Sequence, residues 1–351
     1  MQIFNLLAEH GDAFVIKTTS AGKPYTIVVD GGPGSTDERI ASYYQRLGHI
    51  DLMVLTHYDE DHIAGIKAYA QLFSKSPMPV GRFWGNCARE VHLVNDPIIS
   101  DTGNRNAGTL AYYLDQQRKS NPSFEWREDI YYPHTLELPD VKITVLSPNS
   151  DSLNQIKEEY ESYIAKHPIV VDEAPEQTVQ IASVRVMNDA KETIENLAKD
   201  DKPRSVNPAN KASIAFLLET EGKTILMLGD ADADIVADSI ETLKRPLPLK
   251  VDYVKVSHHG SRNNISKRLL SLIDCNNYIF STNGGTGRSY HPDRKTLALI
   301  LRKEHRNENP INFFFNYPLD KIQERTRTLL SSAEKKQENC EIQDDTNIIT
   351  L

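Results

Sequence analysis

The chain has 351 residues, 39% of them hydrophobic and 25% charged, and a formal net charge of −9. This supplies enough apolar material for one large core, while the acidity argues against a general nucleic-acid coat. No apolar run reaches the roughly 18 residues of a membrane-spanning helix, and the start, Met1-Gln2-Ile3-Phe4-Asn5-Leu6-Leu7, lacks a signal peptide's basic head and small-residue cleavage site. A single cytoplasmic domain without a membrane partner is therefore expected. Cys87, Cys275 and Cys340 are odd in number and widely spaced, which suits ordinary thiols and not a disulfide framework or a cysteine zinc site.

Strand patterns run over Phe4 to Ala8, Ala13 to Thr18 and Tyr25 to Val29, with turn signals at Glu9-His10-Gly11-Asp12 and Ala21-Gly22-Lys23-Pro24. After Asp30-Gly31-Gly32, the acidic pair Asp37 and Glu38 favours a helix start, and Ile40, Tyr43, Tyr44 and Leu47 recur at helical spacing before Gly48. Asp51 to Leu55 then reads as a short buried strand. The next seven residues, Thr56-His57-Tyr58-Asp59-Glu60-Asp61-His62, carry four side chains able to bind a hard or borderline metal. A loop of alternating ligands at a strand's C-terminal end can turn His57 and Asp59 toward one ion and Asp61 and His62 toward a second, at the roughly 3.5–4 Å separation of two-metal hydrolytic sites. A helix is expected from Ile63.

Further strands are expected at Val80 to Trp84 and Val141 to Ser147, with a helix over Tyr112 to Arg118 between them. Residues 151–209 differ in character: twelve acidic against seven basic residues, four prolines and little strand pattern. They read as an acidic insertion, either a lid or partner-binding arm or a disordered segment with at most a solvated helix at Leu153 to Ala165. Beyond it, Asn210 to Leu218 and Thr224 to Leu228 form a hairpin around Glu221-Gly222, ending at Gly229-Asp230-Ala231. A cap on a following helix is the alternative reading of Asp230. Tyr253 to Val256 leads into Ser257-His258-His259-Gly260-Ser261. Tyr278 to Ser281 is a last strand, followed by the loop Gly284 to Gly287, which lacks the Lys-Ser or Lys-Thr of a phosphate-binding P-loop. Pro292 then suits the first turn of a helix carrying Leu297, Ile300 and Leu301.

His57-x-Asp59-x-Asp61-His62 resembles the signature of the metallo-β-lactamase superfamily, with Asp59 where most members carry histidine. That departure, the following Ala64-Gly65, Gly11-Asp12-Ala13, the strand ending Asp30-Gly31-Gly32, Asn210-Lys211-Ala212-Ser213 and His258-His259-Gly260-Ser261 are similar to its ComEC-like branch. Tyr290-His291-Pro292 resembles the branch's Tyr-x-His-Pro with one residue fewer. The resemblance implies an α/β fold, the αββα four-layer sandwich, with strands delivering ligands to one edge. It also implies a two-ion centre of His57, Asp59, Asp61, His62, Asp230 and His258, with Asp230 bridging and Asp61 orienting the attacking water. Asp30 would support the metal loop by accepting a histidine N–H, although a simple turn aspartate is the alternative. His259, Ser261 and His291 would face substrate. A histidine usually completes the first site after the fifth strand; the nearest here is His92, which the pattern does not place.

Carboxylate and imidazole ligands without thiolate suit Zn²⁺ or Mn²⁺, with Mg²⁺ as a harder option. The expected chemistry is attack by a metal-activated hydroxide on a phosphodiester in a nucleic acid or nucleotide. Residues 255–306 hold ten Lys or Arg against three acidic residues. Arg262 and Arg288, on the motif loops, are the candidate phosphate contacts, and a solvated helical surface is the alternative reading. A hydrolase of a cyclic nucleotide, lactone or thioester and a metal-binding scaffold without turnover remain competing readings. A regulatory protein partner would fit the acidic insertion.

Overall fold

In the computed structural model, which describes residues 1–86, 102–166, 192–199, 206–285, 290–326 and 328–351, the strands sort into two large sheets. The first has seven strands. In spatial order they are Ile348–Thr350, Gln2–Asn5, Phe14–Ser20, Lys23–Val29, Ile50–Val54, Val80–Trp84 and Glu125–Arg127. The second has eight: Cys340–Gln343, Ile311–Phe315, Asn277–Phe280, Tyr253–Lys255, Lys223–Met227, Ala215–Thr220, Val141–Ser147 and Thr135–Leu138.

Alternation along each strand builds the layers, because successive side chains point to opposite faces. Phe14, Ile16, Ile27, Val29, Leu52 and Val54 meet Ile143, Val145, Phe216, Leu218, Ile225 and Met227 in one buried cluster between the sheets. The intervening Val15, Val28 and Met53 face outward under Ile40, Tyr44, Ile63, Ile66, Leu110 and Leu114 of the helices. On the other side, Leu217, Leu226, Val254, Phe280 and Phe313 pack beneath Val236, Ile240, Leu297 and Ile300. Three apolar seams separate four layers, which makes this the αββα sandwich.

The acidic segment is more integrated than its composition implies. Helix Ser150–Lys166 buries Leu153 and Ile156 in the core of the first sheet's outer face, so it is not a solvated helix. Helix Ile194–Lys199 adds Ile194 and Leu197 to the core beyond the second sheet. Asn210 lies in the short helix Pro208–Lys211, ahead of the strand and not within it. Residues 167–191 and 200–205, the rest of the proposed insertion, lie outside the described residues. Pro292 also departs from expectation: the helix Arg294–Leu301 starts two residues later with Asp293 at its N-cap position. His291 thus lies three residues ahead of that helix and not directly at its N-terminus. Among the described residues no helix is long and apolar enough to cross a membrane.

Candidate metal centre

The candidate ligands gather where strands of both sheets end. The parallel neighbours Lys23–Val29 and Ile50–Val54 release Asp30 and Thr56-His57 side by side. Helix Glu60–Leu72 begins earlier than expected, with Asp59 at its N-cap position making no side-chain cap bond. Its carboxylate instead lies 3.5 Å from His57 Nε2. From the second sheet, Lys223–Met227 leads to Asp230, and its parallel neighbour Tyr253–Lys255 leads to His258 and His259. Gly11 brings the two halves together: a Cβ there would sit 2.0 Å from the Asp61 carbonyl oxygen, so only glycine allows this approach.

The pair His258-His259 adopts left-handed backbone, φ 47° and 54°, before Gly260 at 91°. Non-glycine residues seldom occupy this region, and each costs on the order of 1–3 kcal/mol. The conformation splits two adjacent imidazoles between two positions. His259 Nε2 approaches Asp61 Oδ2 at 3.3 Å, whereas His258 Nε2 lies 3.7 Å from Asp230 Oδ2.

All four rings are held through Nδ1. His57 Nδ1 lies 3.1 Å from Thr56 Oγ1, which itself donates to Asp30 Oδ2 at 2.8 Å and so accepts from the ring. His62 Nδ1 donates to the same Asp30 oxygen at 2.9 Å. Asn264 donates its amide to the Asp230 carbonyl, which turns its own oxygen toward His258 Nδ1 at 3.1 Å. His259 Nδ1 donates to the Ser281 carbonyl at 2.9 Å. With Nδ1 held, Nε2 of His57, His62 and His259 faces inward, the atom through which an unprotonated imidazole binds a metal, while His258 Nδ1 also lies 2.9 Å from the Asn210 amide nitrogen.

The inward atoms form two groups that share Asp230. One comprises His57 Nε2, Asp59, His258 Nε2 and Asp230 Oδ2, with separations of 3.5 to 4.0 Å. The other comprises Asp61, His62 Nε2, His259 Nε2 and Asp230 Oδ1, with His62 Nε2 3.5 Å from Asp230 Oδ1 and 3.9 Å from Asp61 Oδ1. Tetrahedral ligands at bond lengths near 2.1 Å lie about 3.4 Å apart, so these separations fit an ion in each group. The Nε2 atoms of His57, His62 and His259 and Oδ1 of Asp230 are buried without a hydrogen-bond partner. Leaving them so would be costly, and a cation satisfies all four.

The electrostatics agree with the geometry. Burial alone would raise the Asp230 carboxyl, but His258 and His62 outweigh it and hold it well below the usual range. Burial pushes His258 down to about 4, so this ring is neutral and free to ligate. Burial would also lower His259, yet Asp12 and Asp61 raise it to about 10. In the metal-free chain a proton therefore occupies the position that a cation would take.

Several expectations change. His259 belongs to the ligand cluster and is buried, so it does not stand free for substrate. His258 approaches the same Asp230 oxygen as His57, where it can complete the first group in place of a histidine after the fifth strand. His92 and Arg288 lie outside the described residues. Ser261 is 2% exposed and accepts from the Asn263 N–H, so it does not face substrate. Arg262 is not offered to substrate either: its backbone N–H, Nε and Nη2 all bind the Asp293 carboxylate at 2.7 to 2.9 Å. The helix-cap role considered for Asp230 belongs to Asp232, which accepts from Asp234 and Ile235. His291 lines the cavity over the centre with His10, Glu60, Asp61, His258, His259, Thr282 and Gly285, a space of about 220 Å³.

The positive segment also changes meaning. Lys255, Arg268, Arg294 and Arg302 pair with Asp12, Asp238 and Glu241, Glu334, and Glu338, and Lys303 donates to the Cys275 carbonyl. Five of the ten positive charges are therefore paired within the chain, Lys255, Arg294 and Lys303 in buried positions and Arg268 and Arg302 at the surface.

Residues 8–106 match the model of the Metallo-beta-lactamase superfamily. The chain is similar to ComE operon protein 3 of Bacillus subtilis (strain 168), 25% identical over 131 residues, which is 33% of this chain and 16% of that protein. Among solved structures it is similar to Zn(2+)-bound PqqB from Methylobacterium extorquens, at 10% identity and TM-score 0.44 with both chains covered in full. It is also similar to the metallo-beta-lactamase fold protein YhfI from Bacillus subtilis, at 11% identity and TM-score 0.41, again over the whole of both chains.

Proposed function

We propose that the chain, whose residues 8–106 match the metallo-β-lactamase superfamily, is a phosphodiester hydrolase built on two divalent ions. The carrying observation is that four imidazole Nε2 atoms lie with carboxylates around the two Asp230 oxygens, three of the rings leaving a buried nitrogen without a partner. The residues fit such ions: His57, Asp59, His258 and Asp230 would hold one, and Asp61, His62, His259 and Asp230 the other. Bound there, divalent ions supply a hydroxide nucleophile near neutral pH and neutralise charge on the phosphoryl oxygens.

The chain's own groups do the remainder. Asp61 is partly exposed and lines the cavity, so its carboxylate can orient the attacking water and accept its proton. His291 lines the same space and can donate to non-bridging oxygens. Thr56, Asp30, Asn264 and Ser281 hold the rings at Nδ1, so their orientation toward the ions is set before binding. With Asp59 where histidine is usual, the first group is harder, which favours Mn²⁺ or Mg²⁺ beside Zn²⁺.

The internal pairing of the Lys and Arg residues supports a compact phosphodiester, such as a nucleotide or the end of a strand, over a polynucleotide held along its length. The test is incubation of the metal-loaded chain with bis(p-nitrophenyl) phosphate, a cyclic nucleotide, labelled single- and double-stranded DNA and RNA, and a lactone. Turnover confined to the lactone, or none at all, would overturn the phosphodiester reading.

A further inference from the structure

Lys255 is a buried cation beside the centre that the chemistry above does not use. It ends strand Tyr253–Lys255 of the second sheet at 1% exposure. Its Nζ sits on the Asp12 carboxylate, donates to the Gly229 carbonyl at 3.0 Å, and lies 3.9 Å from Asp230 Oδ1. Asp12 comes from the first sheet, ahead of strand Phe14–Ser20, and its other oxygen lies 3.3 Å from His259 Nδ1. A buried ammonium is tolerated only where negative charge compensates it, and removing one partner of such a pair is far costlier than removing both.

The charges around the centre can be counted. Asp12, Asp30, Asp59, Asp61 and Asp230 are five carboxylates in contact with the four rings or with one another's partners. Glu60 also lines the cavity, but its carboxylate accepts from the Gly34 N–H at 2.6 Å and is not among the groups paired with the four rings. With the rings neutral as ligands, Lys255 leaves four negative charges, the number that two divalent ions balance.

We infer that Lys255 is a fixed counter-charge of the centre, a positioning residue that, through Asp12 and Asp230, matches the buried charge to two divalent ions. The inference rests on the two-ion reading above, and a charge-compensation cycle separates the two. Mn²⁺ binding is measured by equilibrium dialysis and elemental analysis on the full chain, for the wild type, Asp12→Asn, Lys255→Met and the double variant. The wild type binds two equivalents. Asp12→Asn leaves the ammonium uncompensated and weakens the second equivalent by roughly tenfold or more. Adding Lys255→Met restores it to within about threefold of wild type, despite the loss of both polar groups. If Lys255 and Asp12 only brace His259, the double variant stays as weak as Asp12→Asn, and the inference is overturned. Should Asp12→Asn fail to fold while the double variant folds and binds two equivalents, the uncompensated ammonium is the cause and the inference stands; loss of the second equivalent in the double variant overturns it. Fewer than two equivalents in the wild type overturns the two-ion reading itself, whereas two equivalents with a flat cycle overturns only the role of Lys255.

Discussion

Asp30→Asn tests whether the rings are fixed from behind. Asp30 is wholly buried, with Oδ1 accepting from the Thr56 N–H at 2.7 Å and Oδ2 accepting from both Thr56 Oγ1 at 2.8 Å and His62 Nδ1 at 2.9 Å. Asparagine has the same shape but offers one oxygen. If its NH₂ faces the Thr56 amide, two donors confront each other. If it faces His62, that ring must accept at Nδ1, which moves its proton to Nε2 and removes the lone pair from the centre. Either way an acceptor is lost behind a ligand, which typically lowers metal affinity 10- to 100-fold, about 1.4–2.7 kcal/mol. The metal-free chain should lose about 1–3 kcal/mol as well, from the donor left unsatisfied. Competition with a chromophoric chelator reads the first effect and urea unfolding in EDTA the second. Metal affinity within twofold of wild type would refute the reasoning that Asp30 sets the His62 tautomer.

Asp61→Ala should lower turnover by roughly a thousandfold or more while leaving the thermal transition of the chelated chain within a few degrees, because its side chain lines a cavity and not a core; substantial residual activity would exclude it as the water-orienting group. Asp59→His should shift metal content toward zinc and away from activation by Mn²⁺, since imidazole suits the softer ion; unchanged content would show that Asp59 is not a ligand. Arg262→Ala should cost about 1–2 kcal/mol of stability through loss of the Asp293 clasp, with no change in the salt dependence of substrate binding; a reduced salt slope would return Arg262 to the substrate. The pH dependence has a fixed sign. His259 is raised from 6.5 to about 10 in the metal-free fold, so the stability this contributes is complete below pH 6.5 and is lost as pH rises toward 10. Metal binding should release protons across that range, which calorimetry in buffers of different ionisation enthalpy would detect, and a rise in metal-free stability over the same range would contradict the assignment.

What the sequence revealed was whatever is contiguous. The run His57 to His62, the Gly229-Asp230 turn and the His258-His259 pair each place several ligand types within a few residues, and strand alternation marked most of the two sheets. Helix Glu60–Leu72 swallowed part of the expected loop because Asp61 and His62 can sit in a first turn and still face the centre. The supporting groups were hidden by distance in the chain. Asp12 read as a turn residue, and Lys255, flanked by Val254 and Val256, could have been suspected only as a charge stranded in a buried strand. His10 gave only a turn signal. The positive count over 255–306 misled because net charge ignores pairing: Arg268, Arg294 and Arg302 find their acids 27 to 40 residues away, outside the counted segment. Which of two adjacent histidines serves which group depends on left-handed backbone at both, and no side-chain pattern announces that.

The central claim is that hydrolysis requires both ion positions around Asp230. The direct measurement titrates Mn²⁺ into the chelated chain and follows bound metal and bis(p-nitrophenyl) phosphate turnover in the same samples. The structure predicts activity that rises with occupancy and saturates at two equivalents, and that is absent in Asp230→Asn at any metal concentration. Full turnover at one equivalent or none, or phosphodiester hydrolysis that survives Asp230→Asn, would contradict it.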